Sequence, residues 1–373
     1  MSAAGPSKGL EHVVLGDSAI TLVAGETGGL VYRGYDINEL VPRATYEGIV
    51  ALLLDGAAPS RDPPERLADE LRRRRALTPS EASLADAVPL GLPPLEAMRS
   101  LVSLLGGPAW AYPPTRDQGL ELVAKTPTLL ARYVRRSMGR SVVPDRPELG
   151  HAAHYLYHLT GEVPTASHAR ALEQYLVMLA DHGMNASTFA LRIVLSTQSD
   201  LISGAVAAIG ALKGPAHGGA PSRVSDMLDG VGRPENAEAW VASALARKER
   251  LYGFGHRAYK TEDPRAVLLK QIAHRIADPD RLAVAEAVER AGVAALRKKN
   301  PEGRLFLNVE FYGAVVLEAV GLPRELFTPT FAVARTAGWG AHALEQAADN
   351  RLIRPDVRYT GPGPGLSWPG PVR

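Results

Sequence analysis

A chain of 373 residues exceeds one ordinary core and is long enough for two lobes with ample buried area. With 46% hydrophobic and 22% charged residues it has the composition of a globular protein, and a formal net charge of +2 without a basic arm argues against a nucleic-acid partner. Cysteine is absent, which excludes thiol catalysis, disulfides and cysteine-based metal centres. Residues 1–8 have no apolar signal-like stretch and no later run reaches the length of a membrane span, so a cytoplasmic enzyme without a membrane partner is expected.

In chain order, residues 12–15, 19–23 and 30–32 are β-prone and punctuated by glycines, which predicts a small N-terminal β-ribbon. From Asp36, a plausible N-cap, the pattern becomes helical, with helices near Leu40 and over 46–54. Residues 68–75 read as a charged helix whose Arg72-to-Arg75 run is a solvated face. Residues 169–196 carry Leu172, Leu176, Leu179, His182 and Ala186 on one stripe, which predicts a helix buried among helices. Further helices are predicted over 205–212, 235–250, 265–276, 282–297, 312–320 and 331–347. No strand–helix alternation appears, so the fold class is all-α. Breaks at 213–221 and 306–309 suggest a smaller lobe inserted between the two ends of a larger one, and residues 360–373 read as a Pro- and Gly-rich tail.

Three residues stand out chemically. His217 and His256 lie in glycine-rich breaks, where backbone and ring can approach a ligand closely, and Glu310 lies in a short apolar segment. Two imidazoles and a carboxylate suit removal of a proton next to a carbonyl and stabilisation of the resulting enolate. Arg265, Arg335 and Arg354 stand in turns or apolar surroundings and want carboxylates or phosphates, as a small dicarboxylic substrate would supply. His182, judged on its stripe, is a core histidine. Gly253-Phe254-Gly255-His256-Arg257-Ala258 matches a dinucleotide fingerprint, but a charged helical stretch precedes it where an apolar strand is required, so no nicotinamide site is expected. His151, His154 and His158 share a helix face and could chelate a metal; with no carboxylate at a matching position, a helix surface or dimer contact is preferred and no metal is expected.

The blocks Asp181-His182-Gly183-Met184-Asn185-Ala186-Ser187-Thr188, Gly214-Pro215-Ala216-His217-Gly218-Gly219-Ala220, Gly253-Phe254-Gly255-His256-Arg257, Asp263-Pro264-Arg265, Asn308-Val309-Glu310-Phe311-Tyr312, Phe327-Thr328-Pro329, Ala334-Arg335 and Ile353-Arg354-Pro355 closely resemble the citrate synthase family in its short bacterial form. The resemblance runs from Gly9 almost to the tail.

It implies a two-domain, all-α citrate synthase-like fold with the β-ribbon at its start. The large domain would comprise 1–217 and 317–373, with 218–316 as the small domain. It further implies a homodimer that closes over oxaloacetate and then acetyl-CoA, a co-substrate and not a permanently bound cofactor. His217, His256 and Glu310 would be catalytic; His182, Arg265 and Arg335 would hold oxaloacetate, with Arg354 supplied by the partner subunit. Leu251, Gly253 and Gly255 would meet the adenine end of coenzyme A, and Arg304 its phosphates. Three positions depart from the family pattern: Glu310 replaces an aspartate, Pro221 an asparagine and Leu307 a proline. The implied activity is condensation of acetyl-CoA with oxaloacetate. The alternatives are 2-methylcitrate formation from propionyl-CoA and a low-activity paralogue that binds coenzyme A or oxaloacetate.

Overall fold

The structure, a computed structural model, describes residues 8–10, 13–56, 64–218, 221–256, 258–299 and 306–364. Near its start, β1 (Thr21–Ala24), β2 (Gly29–Tyr32) and β3 (Tyr35–Asp36) form an antiparallel sheet in that order, with Thr21 opposite Tyr32 and Val31 opposite Asp36. Of the strand expected over 12–15, the described residues 13–15 form none, and Val14 is 87% exposed; residue 12 lies outside the described residues.

Sixteen α-helices follow among the described residues. The Asp36 side chain accepts from the Asn38 N–H and starts α1 (Ile37–Arg43), while Thr45 caps α2 (Tyr46–Asp55). Next come α3 (Pro64–Arg74), α4 (Pro79–Ala87), α5 (Pro94–Ser103) and α6 (Arg116–Ser137). Reciprocal capping boxes, Thr78 with Glu81 and Thr115 with Gln118, start α4 and α6. The Arg72-to-Arg75 run is only partly a solvated face. Arg75 is buried and donates to the carbonyls of Leu149 and Arg146, fastening the connection that leads into α7 (His151–Thr160). The three histidines of α7 are buried too, so they do not form a helix surface.

The stretch expected as one helix over 169–196 is two, α8 (Ala166–Leu179) and α9 (Ala186–Ser196). Between them the Asp181 side chain accepts from the Gly183 N–H and Asn185 caps α9 through the N–H groups of Ser187 and Thr188. These side chains compete with the helical ladder and divide it. Then come α10 (Leu201–Leu212), α11 (Pro221–Val231), α12 (Ala237–Ala246), α13 (Pro264–Ile276), α14 (Pro279–Lys299), α15 (Val309–Ala319) and α16 (Phe327–Ala348).

The core is centred on α16, which packs against α2, α6, α8, α9 and α10. It is buried on all sides, with Phe327, Arg335 and Trp339 among the largest covered side chains. Each large apolar side chain so buried contributes about 1.5–3 kcal/mol. A second group joins α11, α12 and α14, while α13 and α15 pack on each other and on α8. The sheet sits at a junction. Lys260 N–H donates to the Gly25 carbonyl at 2.9 Å, and a Cβ on Gly25 would lie 2.1 Å from the Ala258 oxygen, so only glycine lets the hairpin dock here. Val23 meanwhile faces Gly183, so the ribbon spans the two loops that carry His182 and His256. Residues 351–364 carry no helix or strand. None of the described helices is long and apolar enough to cross a membrane.

Candidate active site

The break between α8 and α9 takes His182 off the helix stripe and into a loop. Tyr32 fixes that loop by donating its hydroxyl to the Asp181 carbonyl at 2.9 Å, and Asp181 is fully buried. Burial alone would push the Asp181 carboxyl up, but His342 at 3.3 Å and the hydrogen bonds around it hold it down at about 2. His182 Nε2 is 3.2 Å from the Tyr259 hydroxyl, and its ring lies edge-on to His256 at 5.3 Å.

His256 ends the glycine-rich turn after α12. Its Nδ1 accepts from the N–H groups of Ala258 at 2.9 Å and Tyr259 at 3.1 Å, which leaves the ring proton on Nε2. The Tyr259 ring packs 4.8 Å from it. Desolvation, aided by the Arg265 charge, pushes His256 down to about 4 and keeps it neutral.

His217 follows α10 and meets the N-terminus of α9. Ser187 has two donors, N–H and hydroxyl, for two acceptors, Asn185 Oδ1 and His217 Nε2. That arrangement puts the His217 proton on Nδ1. Desolvation and the charge of Arg335 push this imidazole down to about 4. His182 is held still further below the ordinary range, first by burial and then by Arg265 and Arg335. Three neutral imidazoles therefore converge.

The two buried guanidiniums are held differently. Arg265 donates through Nε and NH2 to the two oxygens of Asp263 at 3.0 and 2.8 Å, and both residues are almost wholly enclosed. Asp263 also caps α13 and accepts from the Val309 N–H at 3.2 Å, which ties the start of α15 to the same pair. Arg335, 1% exposed, donates to the Leu179 carbonyl at 2.8 Å and lies over the Phe331 ring. Among the described residues its hydrogen-bond partner is a carbonyl and not a carboxylate; burial holds its pKa below the ordinary guanidinium value, opposed by the through-space attraction of buried Asp181.

Glu310 lies in the first turn of α15, where Asn308 accepts its N–H at 3.0 Å. Residues 253–255 pair with 306–308: Asn308 N–H donates to the Gly253 carbonyl, Gly255 N–H to the Phe306 carbonyl, and Asn308 Nδ2 to the Gly255 carbonyl, all near 2.9 Å. This pairing sets the segment before His256 alongside the segment before Glu310. Gly253 has φ +82 and an added Cβ would meet Phe311 at 2.8 Å, so the register depends on glycine. The Glu310 carboxylate accepts no hydrogen bond from the described residues. Desolvation raises its pKa to about 7, against the pull of Arg250 and Arg265.

The fold thus gathers His182, His217, His256, Arg265, Arg335 and Glu310. Arg354 is not among them. It is exposed, just after Ile353, whose N–H is held by Ser196 at the far end of α9 from Ser187, about 14 Å along the axis. Leu251 is buried, and Gly253 and Gly255 spend polar backbone groups on residues 306–308. Arg304 lies outside the described residues. Sequence reasoning gave no role to Ser187, Tyr259 or Asp263. The Asp-Pro pair was a legible cap signal for Asp263, whereas nothing local marks Tyr259 as a neighbour of His182.

Residues 9–356 match the family described as citrate synthase, C-terminal domain. The chain is 38% identical to a citrate synthase of Deinococcus radiodurans over 364 residues, 95% of this chain and 96% of that one. It is 39% identical to citrate synthase 2 of Bacillus subtilis over 95% of this chain and 96% of that one. Its fold is similar to that of citrate synthase from Thermotoga maritima, with TM-score 0.87 and 34% identity over 97% of this chain and 98% of that one. It is also similar to the Thermoplasma acidophilum citrate synthase solved as a ternary complex with carboxymethyl coenzyme A and oxaloacetate, with TM-score 0.89 and 28% identity over 98% of both chains. With this fold, this site and these likenesses over nearly its whole length, the chain belongs to the citrate synthase family.

Proposed function

We propose that this site condenses acetyl-CoA with oxaloacetate, giving citrate and free coenzyme A. The observation that carries the reading is the backbone pairing of 253–255 with 306–308, which sets the neutral imidazole of His256 alongside Glu310, whose carboxylate accepts no hydrogen bond from the described residues. Glu310 takes a proton from the acetyl methyl group. A carboxylate is a feeble base for such a proton, so the His217 Nδ1–H donates to the thioester oxygen and stabilises the enolate. The enolate carbon attacks the ketone carbon of oxaloacetate while the His256 Nε2–H donates to the ketone oxygen. Water then cleaves the citryl thioester and the sulfur leaves as the thiol. Fixed tautomers allow both imidazoles to donate without first gaining a proton.

Oxaloacetate is dicarboxylic. Arg335, which no carboxylate of the described residues hydrogen-bonds, and the guanidinium nitrogen that Arg265 keeps outside its Asp263 pair supply the matching cations, with His182 beside them. Arg354 completes the set from the partner subunit of a homodimer, in keeping with its exposed place away from its own chain's cluster. Coenzyme A lies along Leu251, Gly253 and Gly255, with Arg304 toward its phosphates, as a co-substrate. The reaction as drawn needs no metal and no resident cofactor. Residues 218–316 act as the smaller lobe, closing on 1–217 and 317–373 to exclude water. The enzyme works in the cytoplasm, without nucleic acid or membrane.

Release of free thiol from acetyl-CoA, dependent on oxaloacetate, tests this. The named relatives are citrate synthases, so the propionyl-CoA reading is not favoured; one methylene separates the two by about 10- to 200-fold in kcat/KM. Faster release from propionyl-CoA would replace citrate by 2-methylcitrate as product. Oxaloacetate binding without thiol release from either would make the chain a binding paralogue.

A further inference from the structure

The histidine row of α7 takes no part in that chemistry. His154 and His158 lie one helical turn apart, with ring centroids 4.0 Å apart, and both are buried at 2% and 7% exposure. The connection over 138–150 folds back so that Asp145 Oδ1 lies 3.0 Å from His154 Nε2 and 3.9 Å from His158 Nε2. A ligand atom from each of the three residues lies within 4.8 Å of the other two. The carboxylate that the helix face lacks therefore arrives from the preceding loop.

His158 Nε2 is buried without a hydrogen-bond partner among the described residues, which is costly if nothing fills the space before it. Burial pushes both imidazoles down, His158 to about 4, so both are neutral at neutral pH; His154 Nε2 donates to Asp145 and would exchange that proton for a cation. The Asp145 side chain is 45% exposed, which opens a path from solvent. Ligand atoms around a tetrahedral zinc ion stand about 3.3 Å apart, so side-chain shifts of about 1 Å close the set. Two imidazoles and one carboxylate suit a borderline transition cation and not a hard one such as magnesium or calcium. Arg75 opposes it. Its Nε is 3.1 Å from the same Asp145 oxygen, although NH1 and NH2 are already held by the Leu149 and Arg146 carbonyls. A guanidinium so close makes the affinity lower than that of a four-ligand structural zinc site.

We infer that Asp145, His154 and His158 form a site for a divalent transition cation of the zinc class, with water as its fourth ligand, that pins residues 138–150 to α7. Zinc titrated against a chromophoric chelator into the metal-free full-length chain tests it. One zinc ion per chain is expected, bound at least tenfold more weakly by His158→Ala and by Asp145→Asn and with unchanged affinity by His217→Ala. Zinc should also raise the unfolding midpoint of the native protein and slow hydrogen exchange over 138–150, and do neither in Asp145→Asn. If His158→Ala fails to fold, Asp145→Asn carries the test, because that side chain is half exposed. Absence of binding, or binding that survives Asp145→Asn and disappears in His217→Ala, overturns the inference.

Discussion

Around His182, His256 and Arg265 each polar group is held by at least one hydrogen bond, whereas the carboxylate of Glu310 takes none from the described residues. Both regions are buried, and burial alone would make both costly. In the first, Asp263 and the backbone of residues 258–259 fix charge and tautomer, so no reorganisation is needed when negative charge develops. In the second, the cost is retained: a shift from 4.5 to about 7 corresponds to about 3 kcal/mol of preference for the protonated form. Groups that only bind and polarise can be locked. A base must stay free to take a proton, and its solvation is sacrificed for basicity.

The largest expected effect separates these regions by sign. Glu310→Gln should lower kcat by about 10²–10⁴-fold, the range for a lost general base. It should also stabilise the fold at high pH. The folded pKa of Glu310 is raised, so its favourable contribution is complete below about 4.5 and is lost as pH rises through about 7. Thermal unfolding at pH 8.5 should show Glu310→Gln more stable than the native chain by on the order of 2 kcal/mol. Equal stability of the two would show that the carboxylate is not desolvated.

Arg335→Leu acts on the binding side. Loss of a buried cation facing a carboxylate costs about 3 kcal/mol, so the KM for oxaloacetate should rise by about 100-fold with a smaller change in kcat. The change removes a carbonyl hydrogen bond and the attraction of Asp181 but also the cost of burying the guanidinium, so denaturant unfolding should give near-native stability.

The link between the two regions is broken by Gly253→Ala, which puts a Cβ at a positive φ and against Phe311. It should cost about 2 kcal/mol in stability and lower kcat, since 253–255 would lose register with 306–308. The smallest effect is expected from Tyr259→Phe. Removing one hydroxyl from His182 Nε2 costs about 1 kcal/mol, a severalfold rise in oxaloacetate KM with kcat little changed.

How much of this was legible in the chain depends on how local the signal is. Glycines beside His217 and His256 mark close approach, and in the structure Gly218 admits the Leu212 carbonyl and Gly253 admits Phe311; Asp36 and the Asp-Pro before Arg265 mark helix starts for the same local reason. The stripe placed His182 on a helix because the spacing of Leu172, Leu176 and Leu179 runs on through His182 to Ala186, whereas capping by Asp181 and Asn185 breaks the helix between them. The α7 histidines were correctly placed on one face, but the Asp145 carboxylate arrives through a loop fold, and no periodicity reports that. Strand propensity at 12–15 found no partner strand, and propensity without pairing makes no sheet. The free state of the Glu310 carboxylate is likewise a property of three-dimensional surroundings.

The most direct measurement is the pH dependence of kcat/KM for thiol release, from pH 5 to 9, with Glu310→Gln and Glu310→Asp as controls. His217 and His256 are both held near 4, so they contribute no limb in this range. The account predicts a single acid limb near pH 7, with activity falling as Glu310 gains its proton. It predicts that limb to be absent from the residual activity of Glu310→Gln and to lie at lower pH in Glu310→Asp, whose carboxyl is the stronger acid. A profile flat down to pH 5, or the same limb in all three proteins, would contradict the assignment of Glu310 as the base.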